Sequence, residues 1–419
     1  MAIQNITFQL GTGGDFISWI VWFVLLMVFF MFYPRIMISQ IVWKLEKSAS
    51  DIERLAADTK KIVGKQVSKK PTKELKEAID RFYEFFSVGP VDLDPAGIIK
   101  KWDYVVREQK DRFTQFVNQV APKLDKDKKA NVEMGFAAGI TLYDVAKIVR
   151  HFVELAKKTK NLQIAMILQM QLPMIERIAK SLYVGTKTLS NGDPIGDGLG
   201  PLVAADLIGN NKTTEIEEDI VMAKIRIKNR EIYVMKSKGP GGRLGYPGKA
   251  VQRIAKKTKI AKIITVDAAA KLEGEKTGSV AEGIGVAMGG IGVERSYIED
   301  VAIANKIPID SVIVKMSQEE AIMPMRKSIK DAIPKAKESI NRFISSTKSK
   351  GAIVIVGVGN TSGVGNNKKA ADKTSAWVEK HEKEIKAKQK GKKNLEDVPF
   401  ETYIPKRGVG SWLWSKLHF

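Results

Sequence analysis

Two aspartates stand where the sequence is best suited to acid–base chemistry. Asp197 lies in the glycine-rich stretch GDPIGDGLGPLVA, residues 192–204, just before an apolar run that predicts a helix. Asp267 directly follows IITV, a run of apolar and β-branched residues that predicts a buried strand. A carboxyl group at the end of a buried strand needs a ligand, a metal ion or a hydrogen-bond partner. We therefore expect Asp197 and Asp267 to be catalytic, as a pair that divides the roles of acid and base.

Asp197 also has a purely structural interpretation. An aspartate at the start of a helix is stabilised by exposed backbone amides and by the helix dipole. Asp197 would then be only the N-cap of the helix that begins near Leu199. If the stretch is instead a site, Asp193, Gly198 and Gly200 are its predicted substrate contacts, since glycines let a backbone turn tightly.

Two other glycine-rich loops are candidates for anion or oxyanion binding. They are EGIGVAMGGIGVER, residues 282–295, and VGVGNTSGVGN, residues 356–366. Loops of this kind present backbone amides to negative charge. In the first loop we expect Gly290, Gly292 and Arg295 to contact a substrate.

The residue types present exclude several kinds of site. The chain has no cysteine, which excludes disulfides, a cysteine nucleophile and thiolate metal sites. Its three histidines, His151, His381 and His418, are too few and too scattered for a histidine-rich zinc site. The glycine-rich loop 238–251 is no phosphate-binding P-loop, because Ala250 stands where Ser or Thr is required. We predict no metal ligands, and the sequence leaves the cofactor unknown, since the glycine-rich loops could also bind a nucleotide or a phosphorylated metabolite.

The elements that must position these residues follow one another between residues 183 and 366. Predicted strands lie at 220–227, 231–236, 261–269, 309–316 and 352–359, and predicted helices at 199–209, 248–257, 294–305 and 319–346. Apolar strands separated by helices predict a three-layer α/β domain with a mostly parallel sheet. The first two strands predict an antiparallel hairpin that turns at Lys228–Asn229. Ligands bind such sheets beyond the carboxyl ends of the strands, where Asp267 is expected.

The run FISWIVWFVLLMVFFMFYP, Phe16–Pro34, predicts a transmembrane helix. The residues up to Tyr33 would span about 27 Å, close to the hydrocarbon thickness of a bilayer. No Lys or Arg precedes the run, whereas Arg35, Lys44 and Lys47 follow it. This bias and the lack of a signal-peptide pattern predict a retained single-pass anchor in the cell membrane. Residues 1–15 would lie outside the cell, and the bulk of the chain in the cytoplasm.

The remaining segments complete the predicted organisation. Residues 35–182 show helical spacing and predict a cytoplasmic helical domain, in which the methionines from Met166 to Met174 are expected to pack in the core. Residues 367–419 form a basic tail with an aromatic end. The formal net charge of +22 favours anionic partners such as a ribosome or RNA, an acidic translocon component or anionic lipid. A merely solubilising surface is the alternative.

Several of these motifs resemble a known superfamily. GDPIGDGLGPLVA resembles the glycine–aspartate motif of the hydrogenase-maturation proteases and is similar to an element of the spore germination protease. IITVDAAA and GGIGVER are similar to that protease's following strand and glycine-rich loop, in the same order. The resemblance implies a phosphorylase/hydrolase-like α/β fold, with Asp197 and Asp267 as the acidic pair and Gly290 and Gly292 in a supporting loop. Metal-dependent members also use a histidine in this domain, and none lies between residues 183 and 366.

The whole chain, with its anchor, helical region and α/β domain, resembles an uncharacterised archaeal family of membrane-anchored proteins that carry a domain of unknown function. The sequence therefore predicts two alternative functions. The first is a membrane-tethered hydrolase similar to peptidases, acting on a protein substrate. The second is a basic, non-enzymatic adaptor at the cytoplasmic membrane face.

Overall fold

The computed structural model describes residues 15–90, 97–289 and 292–390. These residues form two compact units. The first contains the described residues up to Arg54 together with Val145–Glu176, and the second contains Leu55–Asp144 together with the described residues from Arg177 onward.

Long helices dominate the first half of the chain. They are α1 (Asp15–Val67), α2 (Lys73–Phe82), α3 (Ile98–Val120), α4 (Lys126–Thr159) and α5 (Leu162–Asn191). The apolar run and the amphipathic residues after it are thus one helix, α1, of 53 residues. Side chains 18–33 of α1 are exposed, and the helix is apolar and long enough to cross a membrane.

The first unit packs α4 and α5 against α1 by small and branched apolar residues at helical spacing. The buried set is Ile41, Leu45, Ala49, Ile52, Ala146, Val149, Val153, Ala156, Ala165 and Leu172. The prediction that the α5 methionines pack in the core is wrong for all three. Met166, Met170 and Met174 are 40%, 76% and 46% exposed, because the face of α5 that packs in this unit is the one carrying Ala165 and Leu172.

The second unit contains one sheet built from seven strands of the described residues. They are β1 (Thr214–Glu217), β2 (Ile220–Ile227), β3 (Arg230–Ser237), β4 (Ile260–Ala270), β5 (Val280–Ile284), β6 (Ile309–Met316) and β7 (Ala352–Gly357). Their order is β1-β2-β3-β7-β4-β6-β5. The central strands β3, β7, β4 and β6 are parallel, and the outer strands pair antiparallel. The mostly parallel core is as predicted, and so is the hairpin, whose turn residues Lys228 and Asn229 have φ of 48° and 61°.

Helices cover both faces of this sheet. They are α6 (Leu199–Ile208), α7 (Pro247–Ala255), α8 (Val293–Asn305), α9 (Gln318–Ile322), α10 (Lys327–Lys330), α11 (Ile333–Ser346) and α12 (Lys368–Lys390). Residues of α6, α11 and α12 pack in one apolar core with one face of the sheet, and residues of α7 and α8 pack in another core with the opposite face. The unit therefore has the predicted three layers. The single helix expected over 319–346 is instead three, because the chain leaves helical geometry at Met323 to place Pro324 beside Ile195.

Candidate active site

Helix α6 begins directly over the carboxyl end of β7 and the adjoining part of β4, four residues before β4 ends. A Cβ atom on Gly200 would lie 2.1 Å from the carbonyl oxygen of Val358 and 2.4 Å from that of Val266. Only glycine allows this approach, because any side chain would collide with backbone on both sides. The contact sets Asp197, three residues before Gly200, at the same sheet edge as Asp267, which follows Val266.

The carboxylate of Asp197 is held by the loop that follows β7. Asp197 lies in a 3-10 turn, Gly196–Gly198, and its Oδ2 accepts a hydrogen bond of 2.7 Å from the backbone N–H of Asn360. Neither this turn nor α6 receives a side-chain capping hydrogen bond. The interpretation of Asp197 as only an N-cap is therefore wrong: its carboxylate binds an amide of a loop 163 residues away in the chain.

Asp267 is the more enclosed member of the pair, with 4% of its surface exposed. Burial raises the pKa of Asp267 well above its ordinary value, and the nearby charge of Asp197 raises it further, against a hydrogen bond from the amide of Ala268. Burial also raises the pKa of Asp197, while the amide of Asn360 lowers it. The two carboxyl groups, far apart in sequence, thus lie close enough for the charge of Asp197 to affect the ionisation of Asp267.

This arrangement separates the two carboxyl groups chemically. Asp267 is buried and next to a negative charge, so it retains a proton more readily than an ordinary aspartate. Burial raises the pKa of Asp197 as well, but its side chain is partly exposed and the backbone amide that donates to Oδ2 favours the carboxylate. Asp197 is therefore the more readily ionised of the two. One proton donor and one base at the same edge of a sheet are the minimum for general acid–base chemistry.

Asp193, four residues before Asp197, lines a cavity of about 330 Å³. The cavity is lined by residues of α5, of α12 and of the turn between α5 and α6, among them Lys187, Trp377 and His381. Burial raises the pKa of Asp193, and the proximity of His381 lowers it. Gly198 lies beside the loop after β7, where a Cβ atom would be 3.1 Å from the carbonyl oxygen of Asn360.

The predicted contacts from the loop 282–295 are placed differently. Gly292 has φ of 87° and precedes the first turn of α8. Arg295 lies on the exposed side of α8, where its Nε donates to Glu299 at 2.7 Å. Gly290 lies outside the described residues. The contacts of the described residues do not bring Gly292 or Arg295 to the aspartate pair, and their roles in substrate binding stay predictions.

Two residues of this region were not found by sequence reasoning. Asn360 is 5% exposed, and its backbone N–H donates a hydrogen bond to Asp197. The sequence signal for it was only a glycine-rich loop that could bind an anion. His381 lies on α12, beyond the segment in which a histidine was sought, and stacks on Trp377 with ring centroids 4.7 Å apart. Among residues 15–90, 97–289 and 292–390 no group of three or more metal-binding side chains is present.

Comparison with protein families divides the chain between the helical first half and the α/β domain. The model described as "Protein of unknown function (DUF1512) N-terminal domain" matches residues 19–192, and "Domain of unknown function (DUF1512) C-terminal" matches residues 195–365. The chain belongs to this two-domain family. No curated protein and no solved structure matches it. The expectation of an uncharacterised family is confirmed, and the C-terminal DUF1512 domain is the one that holds Asp197 and Asp267.

A buried lysine lies at the same carboxyl edge of the DUF1512 C-terminal domain. Lys236, near the end of β3, is 1% exposed and stands in register with Gly357 of β7. Its Nζ donates to the carbonyl oxygen of Ser237 at 2.7 Å and to Oδ1 of Asn366 at 3.0 Å. Burial lowers the pKa of Lys236 to about 7, because these neutral acceptors do not replace the hydration of an ammonium group.

We expect the free energy of unfolding of Lys236→Met to rise less between pH 7 and 10 than that of the native protein. Between pH 7 and 10 the unfolded chain keeps a proton on Lys236 that the folded chain has released, so the stability of the native protein rises with pH in that window. This contribution is on the order of 4 kcal/mol across the window, and the variant lacks it. Thermal unfolding midpoints of both proteins from pH 7 to 10 measure the difference. An equal rise in both would contradict the prediction, and Lys348→Met at an exposed site is the matched control.

Proposed function

We propose that this protein is a peptidase-like hydrolase, tethered to the membrane by α1, in which Asp197 and Asp267 perform the chemistry. The observation that carries the proposal is geometric: Gly200 packs against the carbonyl oxygens of Val266 and Val358. This packing brings Asp197 to the edge of the sheet where Asp267 lies, although seventy residues separate the two aspartates in the chain. A buried pair of carboxyl groups that cannot both ionise easily is a means of keeping one acid and one base at neutral pH. The order of the motifs in the sequence supports the same activity.

In the proposed reaction the two aspartates have different roles. Asp197, as carboxylate, removes a proton from a water molecule whose oxygen attacks the carbonyl carbon of a peptide bond. Asp267 donates its proton to the carbonyl oxygen, which gives a neutral diol intermediate. The proton on Asp197 then passes to the amide nitrogen while the C–N bond breaks, and Asp267 recovers its proton from the diol. The amide of Asn360 holds Asp197 in place throughout.

Asp197→Asn tests this proposal directly. We expect cleavage of a peptide library by the purified full chain to fall at least about 100-fold, because an amide cannot accept the proton of the attacking water. The matched control is Asp300→Asn on the exposed side of α8, which should cleave as the native protein does. Cleavage that survives Asp197→Asn unchanged would exclude this mechanism.

The proposed location extends the finding that α1 is apolar enough to cross a membrane. A single-pass anchor with the N-terminus outside and the two DUF1512 domains in the cytoplasm agrees with the basic residues that follow the apolar run, such as Arg35 and Lys44. The archaeal origin implied by the resemblance stays a prediction.

The net charge of +22 favours a second function, that of a basic adaptor for a ribosome, RNA, a translocon component or anionic lipid. The two functions differ in their response to substitution. Association through positive charge weakens steeply with salt and survives the loss of both aspartates. Hydrolysis does not survive that loss.

A further inference from the structure

The first unit exposes apolar residues at one end of α5, next to a cluster of lysines. Met166 and Ile167 are 40% and 60% exposed in the first turns of this helix. Lys158 and Lys160, at the end of α4 and in the turn before α5, are also exposed. We call residues 157–167 the hairpin tip. Neither its apolar nor its basic residues are needed by the chemistry proposed above.

Contacts within the unit fix the direction of the hairpin relative to α1. Arg150 binds Glu53 at 2.7 Å, and Lys157, one heptad later, binds the earlier residue Glu46. Helix α4 therefore runs antiparallel to α1. Since only Lys160 and Asn161 separate α4 from α5, α5 returns parallel to α1.

A hydrogen bond between Ser48 and Glu176 sets the height of α5 along α1. Ile167 lies nine residues before Glu176, so it is level with Ser39, nine residues before Ser48. Ser39 lies six residues after Tyr33, which at 1.5 Å per residue places Ile167 about 9 Å beyond the apolar run. Its side chain leans back toward the N-terminus of α5 and hence toward the bilayer.

The same level of α1 carries features of a membrane interface. Trp43 is 68% exposed and Ile36 is 56% exposed, and Arg35 and Lys44 flank them along one open apolar face of the helix. Aromatic residues with basic neighbours are typical of the headgroup layer, which extends about 5 to 8 Å beyond each side of the hydrocarbon.

We propose that the hairpin tip is a second membrane contact, which inserts Met166 and Ile167 into the headgroup layer of an anionic bilayer beside α1. Lys158 and Lys160 bind lipid phosphates, and the apolar side chains reach the acyl boundary, as in interfacial amphipathic helices. This inference rests on the membrane anchor proposed above. It predicts that the first unit is held against the bilayer and does not swing freely on a single helix.

Site-specific fluorescence on the full chain tests the contact. The chain has no cysteine, so a single introduced cysteine is labelled uniquely with an environment-sensitive dye. The variants are Phe23→Cys in the span, Ile167→Cys in the tip, and Met174→Cys. Met174 is the matched control: it lies on the same face of α5 one heptad later, level with Glu46 and about 20 Å beyond Tyr33. Each protein is reconstituted in phosphatidylcholine vesicles with about one quarter phosphatidylglycerol, the anionic lipid that the lysines would bind.

We expect lipids that carry a nitroxide near the headgroup to quench the label at position 167 at least about threefold more than the label at 174, since only the former reaches the headgroup layer. Lys158→Gln with Lys160→Asn should lower that quenching to the level found in vesicles of phosphatidylcholine alone.

The other outcomes are distinguishable. Phe23 lies at mid-span, so its label is tested with lipids that carry the nitroxide near the end of an acyl chain. If these lipids quench the label at 23 and the headgroup nitroxide does not quench the label at 167, the anchor stands and the inference is overturned. If the acyl-chain nitroxide leaves the label at 23 unquenched, the anchor itself is overturned. A third outcome is equal fluorescence of the labels at 167 and 174 that does not depend on lipid, together with cross-linking between copies. It would show that a second copy covers the α5 face, and it too would overturn the inference.

Discussion

We expect Asp267→Asn to abolish the proposed peptide hydrolysis and at the same time to stabilise the folded protein at neutral and alkaline pH. The loss of activity follows because an amide cannot supply the proton that the carbonyl oxygen needs. The gain in stability follows from burial: the pKa of Asp267 is raised well above its ordinary value in the folded chain, so ionisation favours the unfolded chain.

The contribution of Asp267 to folding stability decreases as pH rises. Below the ordinary pKa of an aspartate both folded and unfolded chains hold the proton on Asp267, and the stabilising effect of the raised pKa is fully present. As pH rises through the raised pKa that contribution is lost, and the native protein is destabilised. Asparagine does not titrate, so the variant should be more stable than the native protein at pH 8, and the two stabilities should converge near pH 4.

Thermal unfolding midpoints of both proteins from pH 4 to 8 measure this difference in stability. Asp300→Asn, at an exposed carboxylate, should follow the native curve over the whole range. A native-like curve for Asp267→Asn would mean that Asp267 ionises in the folded chain as it does in water, and its role as the proton donor would then be untenable.

Gly200→Ala is expected to destabilise the second unit by about 3 kcal/mol or more, since overpacking against rigid backbone has no cheap relaxation. The new methyl group would lie 2.1 Å and 2.4 Å from the carbonyl oxygens of Val358 and Val266. Helix α6 must therefore move away from the strand ends. Activity should fall as well, because that movement separates Asp197 from Asp267.

Gly283→Ala is the matched control for this substitution. Gly283 lies in the edge strand β5, where a Cβ atom would have nothing within 4 Å. We expect the Gly283→Ala variant to keep the unfolding midpoint and the cleavage rate of the native protein, because the added methyl group meets only open space. An unfolding midpoint of Gly200→Ala equal to that of Gly283→Ala would show that α6 does not rest on the strand ends as described.

Much of the sheet can be predicted from periodicity and composition. Strands β2, β3, β4, β6 and β7 coincide closely with the predicted strands. The central strands β4 and β7 are apolar along most of their length because both of their faces are covered, whereas β2 alternates and exposes Lys224 and Arg226. The edge strands β1 and β5 were not predicted. They have four and five residues, and the burial of both is partial, so their sequences carry neither an apolar run nor a clean alternation.

The methionines of α5 show the opposite error. Met166, Met170 and Met174 have the spacing of a buried helix face, and they are exposed. Helical periodicity identifies a coherent apolar face, but it does not say what covers that face. In the first unit, small residues such as Ala165 on the other side of α5 allow the close approach to its neighbours.

The sequence by itself determined the apolar span, the order of strands and helices, and the positions of Asp197 just before a helix and of Asp267 late in a buried strand. These are local properties, set by hydrophobic spacing within one segment. Only the tertiary structure decided that Asp197 binds the amide of Asn360, that Asp267 lies near it, and that His381 of α12 lies beside Asp193. Such contacts depend on the order of strands in the sheet and on how closely α6 approaches it, and no local pattern of residues encodes either.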